Sequence, residues 1–388
     1  MKAFYKDFKL GILGGGQLGR MLIQACPNFD IHTSVLDPSV NAPCQGIANE
    51  FHQGSFNDYD AVYNFGKQVD LLTIEIENVN IDALYQLEKE GLAVYPQPRV
   101  IEIIKDKRKQ KQFYLDNAIP TAEFVLVENR EDIHRYESFL PAFNKIGQGG
   151  YDGSGVTKIS SLKGVNKAFD VPGLLEKAVE LDCEISVIAG RNVSGDIAVF
   201  PIVECTFYPE HNLVDYLITP ATLSDEIHKK AKKIASDLVR KLDIVGILAV
   251  EMFITPTGEI LVNEAAPRPH NSGHQTINAN VTSQYEQLLR AILNLPLGST
   301  AINKPSAMVN LLGEEGYTGP VYYEGLNELL AIPDVHLFLY GKAETRPHRK
   351  MGHITIVDED KNELINKIKL VKETIKAVSQ NKEVLSHE

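Results

Sequence analysis

Two glutamates and the segment behind them carry the strongest chemical signal in this 388-residue chain. Glu251 opens the run Glu251-Met-Phe-Ile-Thr-Pro-Thr-Gly-Glu-Ile-Leu-Val-Asn-Glu264, and Ala-Ala-Pro-Arg-Pro-His-Asn-Ser-Gly-His follows at once, residues 265–274. Residues 246–254 and 259–262 are apolar and β-prone, and Pro256-Thr257-Gly258 between them is turn chemistry. A hairpin closed at Pro256-Thr257 sets Glu251 opposite Val262, and the two-residue period then predicts Glu251, Val262 and Glu264 on one face. Two carboxylates beside an apolar wall repel each other and resist desolvation. A divalent cation relieves both effects. Mg²⁺ takes hard oxygen ligands, one or two of them carboxylates and the rest supplied by phosphate, so the pattern describes a nucleotide–Mg²⁺ site. The alternative is an exposed hairpin with two solvated acids, since one step of register sends Glu264 to the other face.

Other segments could serve such a site. Lys145 precedes a loop with five glycines, residues 147–155, in which backbone amides can approach an anion and the loop can close over it; the alternative is a plain surface loop. Gly14-Gly15-Gly16-Gln17-Leu18-Gly19 fits GxGxxG between a strand and a helix, and Asp37 ends the next strand, where nicotinamide enzymes hold a ribose. Alone, that turn recurs with many ligands. Lys105 to Lys111 is a charge run that reads mostly as a solvated helix face. Glu176 and Glu184 flank an apolar stretch as ordinary surface acids would. His270 and His274 are four apart, but Pro269 and Gly273 place them in a loop, which favours contacts to a small substrate over zinc. Arg346-Pro-His-Arg349-Lys350 is a candidate phosphate site in an otherwise acidic chain.

The elements that must position these residues follow from periodicity. Strands at 9–13, 31–36 and 71–76 alternate with helices after residue 17 and at 81–90, an open α/β sheet. Tyr95-Pro-Gln-Pro98 marks a boundary, one long helix spans 100–117, and a mixed α+β stretch with a helix at 224–242 runs to about residue 300. A compact β-rich piece and a helix over 361–380 complete the chain. Three domains are therefore expected, 1–98, 99–300 and 301–388. A net charge of −12 without a long basic run argues against nucleic acid and membrane surfaces as partners. Four cysteines without CxxC pairing read as small buried residues of a reducing, cytoplasmic setting, and no apolar stretch reaches transmembrane length.

Taken together, GGGQLGRM (14–21), TIEIENV (73–79), residues 106–113, GYDGSG (150–155), residues 184–188 and 246–253, VNEAAPRPHNSGH (262–274) and residues 346–353 resemble the ATP-grasp superfamily. Within it they resemble the N5-carboxyaminoimidazole ribonucleotide synthetases of purine biosynthesis. The resemblance implies an ATP-grasp fold with a Rossmann-like N-terminal domain, and a homodimer. It also implies ATP-driven carboxylation of aminoimidazole ribonucleotide with bicarbonate through carboxyphosphate. By the same resemblance Glu251 and Glu264 would hold Mg²⁺, or Mn²⁺, and Lys107 and Lys145 the ATP phosphates. Glu176, Lys177 and Val179 would line the adenine pocket, Glu184 would take the ribose hydroxyls, and Asn263 would lie on the nucleotide. Arg268, His270 and Asn271 would hold bicarbonate or carboxyphosphate. Gln17, Glu75 and Asp152 would face the ribonucleotide, with Lys342, Arg349 and Lys350 on its 5′-phosphate. Ser154 stands where the family commonly has Lys or Arg, His348 where it has Gly, and Ala266 where many other ATP-grasp enzymes have a metal-binding Asn. Three rivals remain: a nicotinamide oxidoreductase, a non-catalytic nucleotide sensor and a formate-dependent glycinamide ribonucleotide transformylase.

Overall fold

The computed structural model describes residues 7–150, 155–208 and 213–380. Its N-terminal sheet is parallel, in the order Glu50–Gln53, His32–Asp37, Lys9–Leu13, Leu71–Ile74, Ala93–Val94. Leu10, Ile12 and Leu13 are completely buried, as a central strand covered on both faces requires. The connecting helices Tyr59–Gly66 and Ile81–Lys89 start at Asp58 and Asn80, whose side chains accept from the amides of Ala61 (2.8 Å) and Ala83 (2.9 Å).

The long helix expected over 100–117 is two, Pro98–Lys105 and Lys107–Asp116. Asp106 breaks it. Its backbone is extended, and its carboxylate caps the second helix by accepting from the Arg108 amide at 2.9 Å. An aspartate that can satisfy a free helix-start amide competes with helix continuation.

The middle of the chain forms two sheets. A four-stranded sheet has the order Phe124–Val127, Gly173–Lys177, Ala142–Ile146, Val156–Ile159. A nine-stranded antiparallel sheet runs Ile260–Ala266, Gly246–Ile254, Cys183–Arg191, Val203–Phe207, Val214–Thr219, Ser306–Leu312, Lys350–Val357, Val335–Leu339, with Ile197–Val199 paired onto Cys183–Arg191. It continues without a break from the middle of the chain into its last third, because Tyr216 pairs with Val309. One face packs Val187, Val250, Met252 and Val262 against Ala231, Ala235 and Leu238 of the helix Asp225–Leu242. The other packs Ile188, Ile247 and Ala249 against Leu18, Met21 and Leu22 of the first helix, Gln17–Ala25, and against Tyr285 and Leu289.

The terminal helix is shorter than expected, Lys361–Thr374. Lys376–Ser379 is instead a strand paired with Gly319–Glu324, and it buries Ala377 and Val378. Of the four free cysteines, Cys26 and Cys44 are buried as expected, whereas Cys183 and Cys205 are only partly so.

Candidate active site

The acidic hairpin forms, with two steps of register that differ from the simple reading. Thr255 and Glu259 flank a three-residue loop in which Gly258 adopts φ +78° and donates its amide to Thr255 at 2.8 Å. That loop places Met252, not Glu251, opposite Val262. Asn263 is then the extra residue of a β-bulge, and beyond it Glu251 pairs directly with Glu264. The two carboxylates share a face as expected. Val262 does not: it lies on the other face, fully buried under the helix Asp225–Leu242. The bulge is what brings the acids into register, since the closing loop alone would set Glu251 opposite Asn263.

One lysine meets these acids directly, and two more meet Glu176 beside them. Lys107, in the first turn of the helix that Asp106 caps, is ion-paired with Glu264. Lys145 donates to Glu176 Oε1 at 2.7 Å and to Asn263 Oδ1 at 2.9 Å, so the bulged residue also serves the site. Lys111, one helical turn after Lys107, is ion-paired with the other oxygen of Glu176 and donates to Thr121 Oγ1 at 2.6 Å. Lys111 was expected on a solvated face, yet it is 3% exposed, and Glu176 is 2% exposed. The three lysines, Asn263 and Glu264, with Gln110 and Leu174, line one small cavity.

The electrostatics follow from burial and pairing. Lys107 holds the Glu264 carboxyl down at about 2. Burial opposes the charge on Lys107, but Glu264, Glu251 and Glu176 outweigh it and leave its pKa raised. Burial brings Lys111 down to about 8 in spite of Glu176. Glu176 resists burial through its two lysines and stays below the usual carboxylate value. Glu184, on the neighbouring strand Cys183–Arg191, has no such partner among the described residues: burial and then Glu251 push it up to about 7, with Lys145 opposing.

The segment after the hairpin lies at the same acids. His270 caps the short turn Asn271–Gly273, and its Nε2 is 3.2 Å from Glu251 Oε1. Arg268 Nε lies 2.8 Å from Glu77 Oε1. Asn271 and Asn310 exchange amide hydrogen bonds of 2.8 and 3.2 Å. The pairing of His274 with His270 as two substrate contacts fails. His274 is 1% exposed, lies tilted against His353 with ring centroids 4.7 Å apart, and meets the Tyr285 hydroxyl at 3.1 Å. Burial, with His353 and His270 nearby, holds its pKa well below the ordinary histidine value. It is a core histidine.

At the N-terminal turn the amides that a pyrophosphate would need are already bonded. Glu75 accepts from Gly16 at 2.6 Å and from Gly19 at 2.7 Å, and Asp37 accepts from Gly15 at 2.7 Å. Burial raises the Glu75 pKa against these two amides. Gln17 begins the helix beside Glu75. Farther along, Lys342 donates to the Lys350 carbonyl at 2.6 Å and Arg349 to the Glu344 carbonyl at 2.7 Å, so the basic residues share one turn. His348 in that turn has φ +61°, the left-handed region where glycine is the easier residue. Lys177 is exposed and ion-paired with Glu123 at 3.4 Å, and Val179 follows it just beyond the strand end. Asp152 and Ser154 lie outside the described residues.

Sequence reasoning missed Lys111, Glu77, Ser272 and Asn310. The i, i+4 spacing from Lys107 was the available signal for Lys111; nothing local marks the other three.

Comparison with known proteins decides the family. An ATP-grasp domain matches residues 112–285, a ribonucleotide synthetase preATP-grasp domain residues 8–105, and a phosphoribosylaminoimidazole carboxylase C-terminal domain residues 306–367. The chain is 37% identical over 371 residues to the N5-carboxyaminoimidazole ribonucleotide synthase of Bacillus subtilis, covering 94% of this chain and 95% of that one. The chain belongs to the N5-carboxyaminoimidazole ribonucleotide synthase family. Among solved members of that family, the Thermotoga maritima synthetase superposes with a TM-score of 0.89 at 43% identity, over 96% of this chain and 100% of that one. The Aspergillus clavatus synthase, solved with ADP and 5-aminoimidazole ribonucleotide, superposes with a TM-score of 0.87 at 30% identity, over 95% and 98%. The family's ATP-grasp fold, with its preATP-grasp and C-terminal domains, is the architecture found here.

Proposed function

We propose that this chain uses ATP and bicarbonate to carboxylate 5-aminoimidazole ribonucleotide, giving N5-carboxyaminoimidazole ribonucleotide, ADP and phosphate, a step of purine biosynthesis. The observation that carries this reading is the pairing of Glu251 with Glu264 beside Lys107 and Lys145, in a chain matched along its length by that family. Two facing carboxylates are a hard-oxygen donor set that suits Mg²⁺, or Mn²⁺, shared with phosphates. Among the described residues no group of three or more His, Cys, Asp or Glu forms a self-sufficient metal cage, and Mg²⁺ with a nucleotide needs none. Once bound, the ion would neutralise charge on the phosphate oxygens.

The remaining work falls to the protein's own groups. Lys107 and Lys145 hold the phosphates while a bicarbonate oxygen attacks the γ-phosphorus and ADP leaves, forming carboxyphosphate. Glu176, Lys177 and Val179 line the adenine pocket, with Asn263 on the nucleotide. The Glu176 side chain is held by its two lysines. Glu184 accepts from the ribose. Arg268, His270 and Asn271 hold bicarbonate and then carboxyphosphate. Arg268, paired to Glu77, places that pocket beside the strand end that bears Glu75. The ribonucleotide lies against Gln17, Glu75 and Asp152 with its phosphate on Lys342, Arg349 and Lys350. Its amine attacks the carboxyl carbon of carboxyphosphate, or of the CO₂ that carboxyphosphate releases; phosphate departs, and the amine loses a proton. The reading includes a cytoplasmic homodimer. No helix among the described residues is long and apolar enough to cross a membrane.

The test is phosphate release from MgATP with each co-substrate omitted in turn. Release should need bicarbonate and rise with the ribonucleotide; formate should not replace bicarbonate. Glu264→Gln should abolish turnover while the fold survives. Release that ignores both co-substrates, or a fully active Glu264→Gln, refutes the proposal.

A further inference from the structure

Behind His270 lies a short chain of hydrogen bonds with a fixed direction. The Ser272 backbone amide lies 3.3 Å from His270 Nδ1, and the Ser272 hydroxyl lies 2.9 Å from the same nitrogen. Ser272 Oγ is in turn 2.6 Å from Ser186 Oγ. Ser186 and Ser272 are 1% and 3% exposed. Ser186 sits directly opposite Glu251 in the sheet. The far nitrogen of the same ring, Nε2, faces Glu251 Oε1.

One bond sets the rest. A backbone N–H only donates, so Nδ1 accepts and carries no proton. The Ser272 hydroxyl must then also donate to Nδ1. With its single hydrogen committed, Ser272 Oγ is the acceptor from Ser186. The ring proton of neutral His270 therefore resides on Nε2, aimed at the acidic pocket. We infer that Ser272, through its backbone amide and its hydroxyl and backed by Ser186, is a positioning residue that holds the His270 ring in its Nε2–H tautomer and in one orientation, so that it presents a hydrogen-bond donor to the bicarbonate oxygens. This rests on the proposed placement of bicarbonate at His270. The opposite tautomer would present a lone pair to an anion and repel it. A preset donor needs no reorganisation when the anion arrives, which is the advantage of a polar site built in advance.

Two measurements separate this inference from the reading on which it rests. In nucleotide-free protein labelled with ¹⁵N-histidine, long-range ¹H–¹⁵N spectra should show His270, assigned by loss of its signals in His270→Ala, with the proton on Nε2. Ser272→Ala keeps the amide that fixes the tautomer, so the proton should stay on Nε2 while the Nδ1 resonance shifts with the loss of the hydroxyl donor. In steady state, Ser272→Ala should raise the KM for bicarbonate about tenfold, the scale of one lost buried hydrogen bond, and leave the KM for ATP within about twofold. Ser186→Ala, one bond farther out, should act in the same direction by about threefold and covers the case in which Ser272→Ala does not fold. A wild-type His270 protonated at Nδ1, or serine variants with an unchanged Nδ1 resonance and an unchanged KM for bicarbonate, overturns the inference. An Nε2–H His270 whose own removal leaves the KM for bicarbonate untouched instead removes His270 from the bicarbonate site, and with it the purpose assigned to the serines.

Discussion

Replacing Glu184 by glutamine should free the protein from a stability loss that grows with pH. The Glu184 carboxyl titrates at about 7 in the fold against 4.5 ordinarily, because burial and Glu251 disfavour its charge. A carboxyl with a raised pKa takes up protons more readily folded than unfolded. Its contribution is therefore intact below pH 4.5 and is lost as pH climbs to 7. A rise of about 2.5 corresponds to about 3.4 kcal/mol at 1.36 kcal/mol per pH step. Between pH 5 and pH 8 about 2.5 kcal/mol of that is lost, and partial exposure of the side chain reduces it to about 2 kcal/mol. For 388 residues the unfolding entropy is roughly 0.8 kcal/mol per degree, so the melting temperature should respond by about 2–3 °C. The assay is thermal unfolding of wild type and Glu184→Gln across pH 5–8 without nucleotide or divalent cations. The variant should melt near wild type at pH 5 and about 2–3 °C above it at pH 8. Because every other group titrates in both proteins, the difference isolates Glu184. A difference that stays flat across the range would show that its carboxyl is not held neutral, and the argument from burial would fail.

Three other outcomes are expected. Lys111→Met should cost about 3 kcal/mol, because it leaves Glu176 buried with one partner, and Glu176→Gln in the same chain should recover part of it; urea unfolding that finds the single variant near wild type would make Lys111 a bystander. Arg349→Ala should raise the KM for the ribonucleotide about tenfold or more and scarcely move that for ATP, whereas equal effects would take Arg349 out of the substrate-phosphate site. Glu75→Ala should weaken ribonucleotide binding and spare ATP, and calorimetry with NAD⁺, NADH and NADP⁺ should give no saturable heat below millimolar concentration. A micromolar isotherm with any dinucleotide would revive the oxidoreductase reading.

The three central strands of the parallel N-terminal sheet were legible because they are short continuous apolar runs, and their ends fall within two residues of the expected ones, whereas the short edge strands Glu50–Gln53 and Ala93–Val94 were not read from the sequence. The acid pair was legible as chemistry but not as geometry. Whether Gly258 joins the loop is decided by backbone conformation, and nothing about Asn263 as a residue marks it as a bulge. Lys111 was hidden among like charges, because Asp106 restarts the helix and changes which side of the run faces inward. His274 looked like His270 in sequence, and only tertiary packing against His353 and Tyr285 tells them apart.

The unbroken nine-stranded sheet determines where this gene could be divided. A cut in the connector before Ser306 would leave Val214–Thr219 and Ser306–Leu312 as naked edges on separate polypeptides, each with a full row of unpaired amides and carbonyls. Neither piece closes its core alone: the last third packs Tyr216 and Ile218 of the earlier strand among its own Val309, Met351 and Ile354. The matching surface for each edge is the other. Such fragments are suited to reassembling with one another and poorly suited to standing alone, and a foreign domain would be accommodated more readily at a chain end than at that seam.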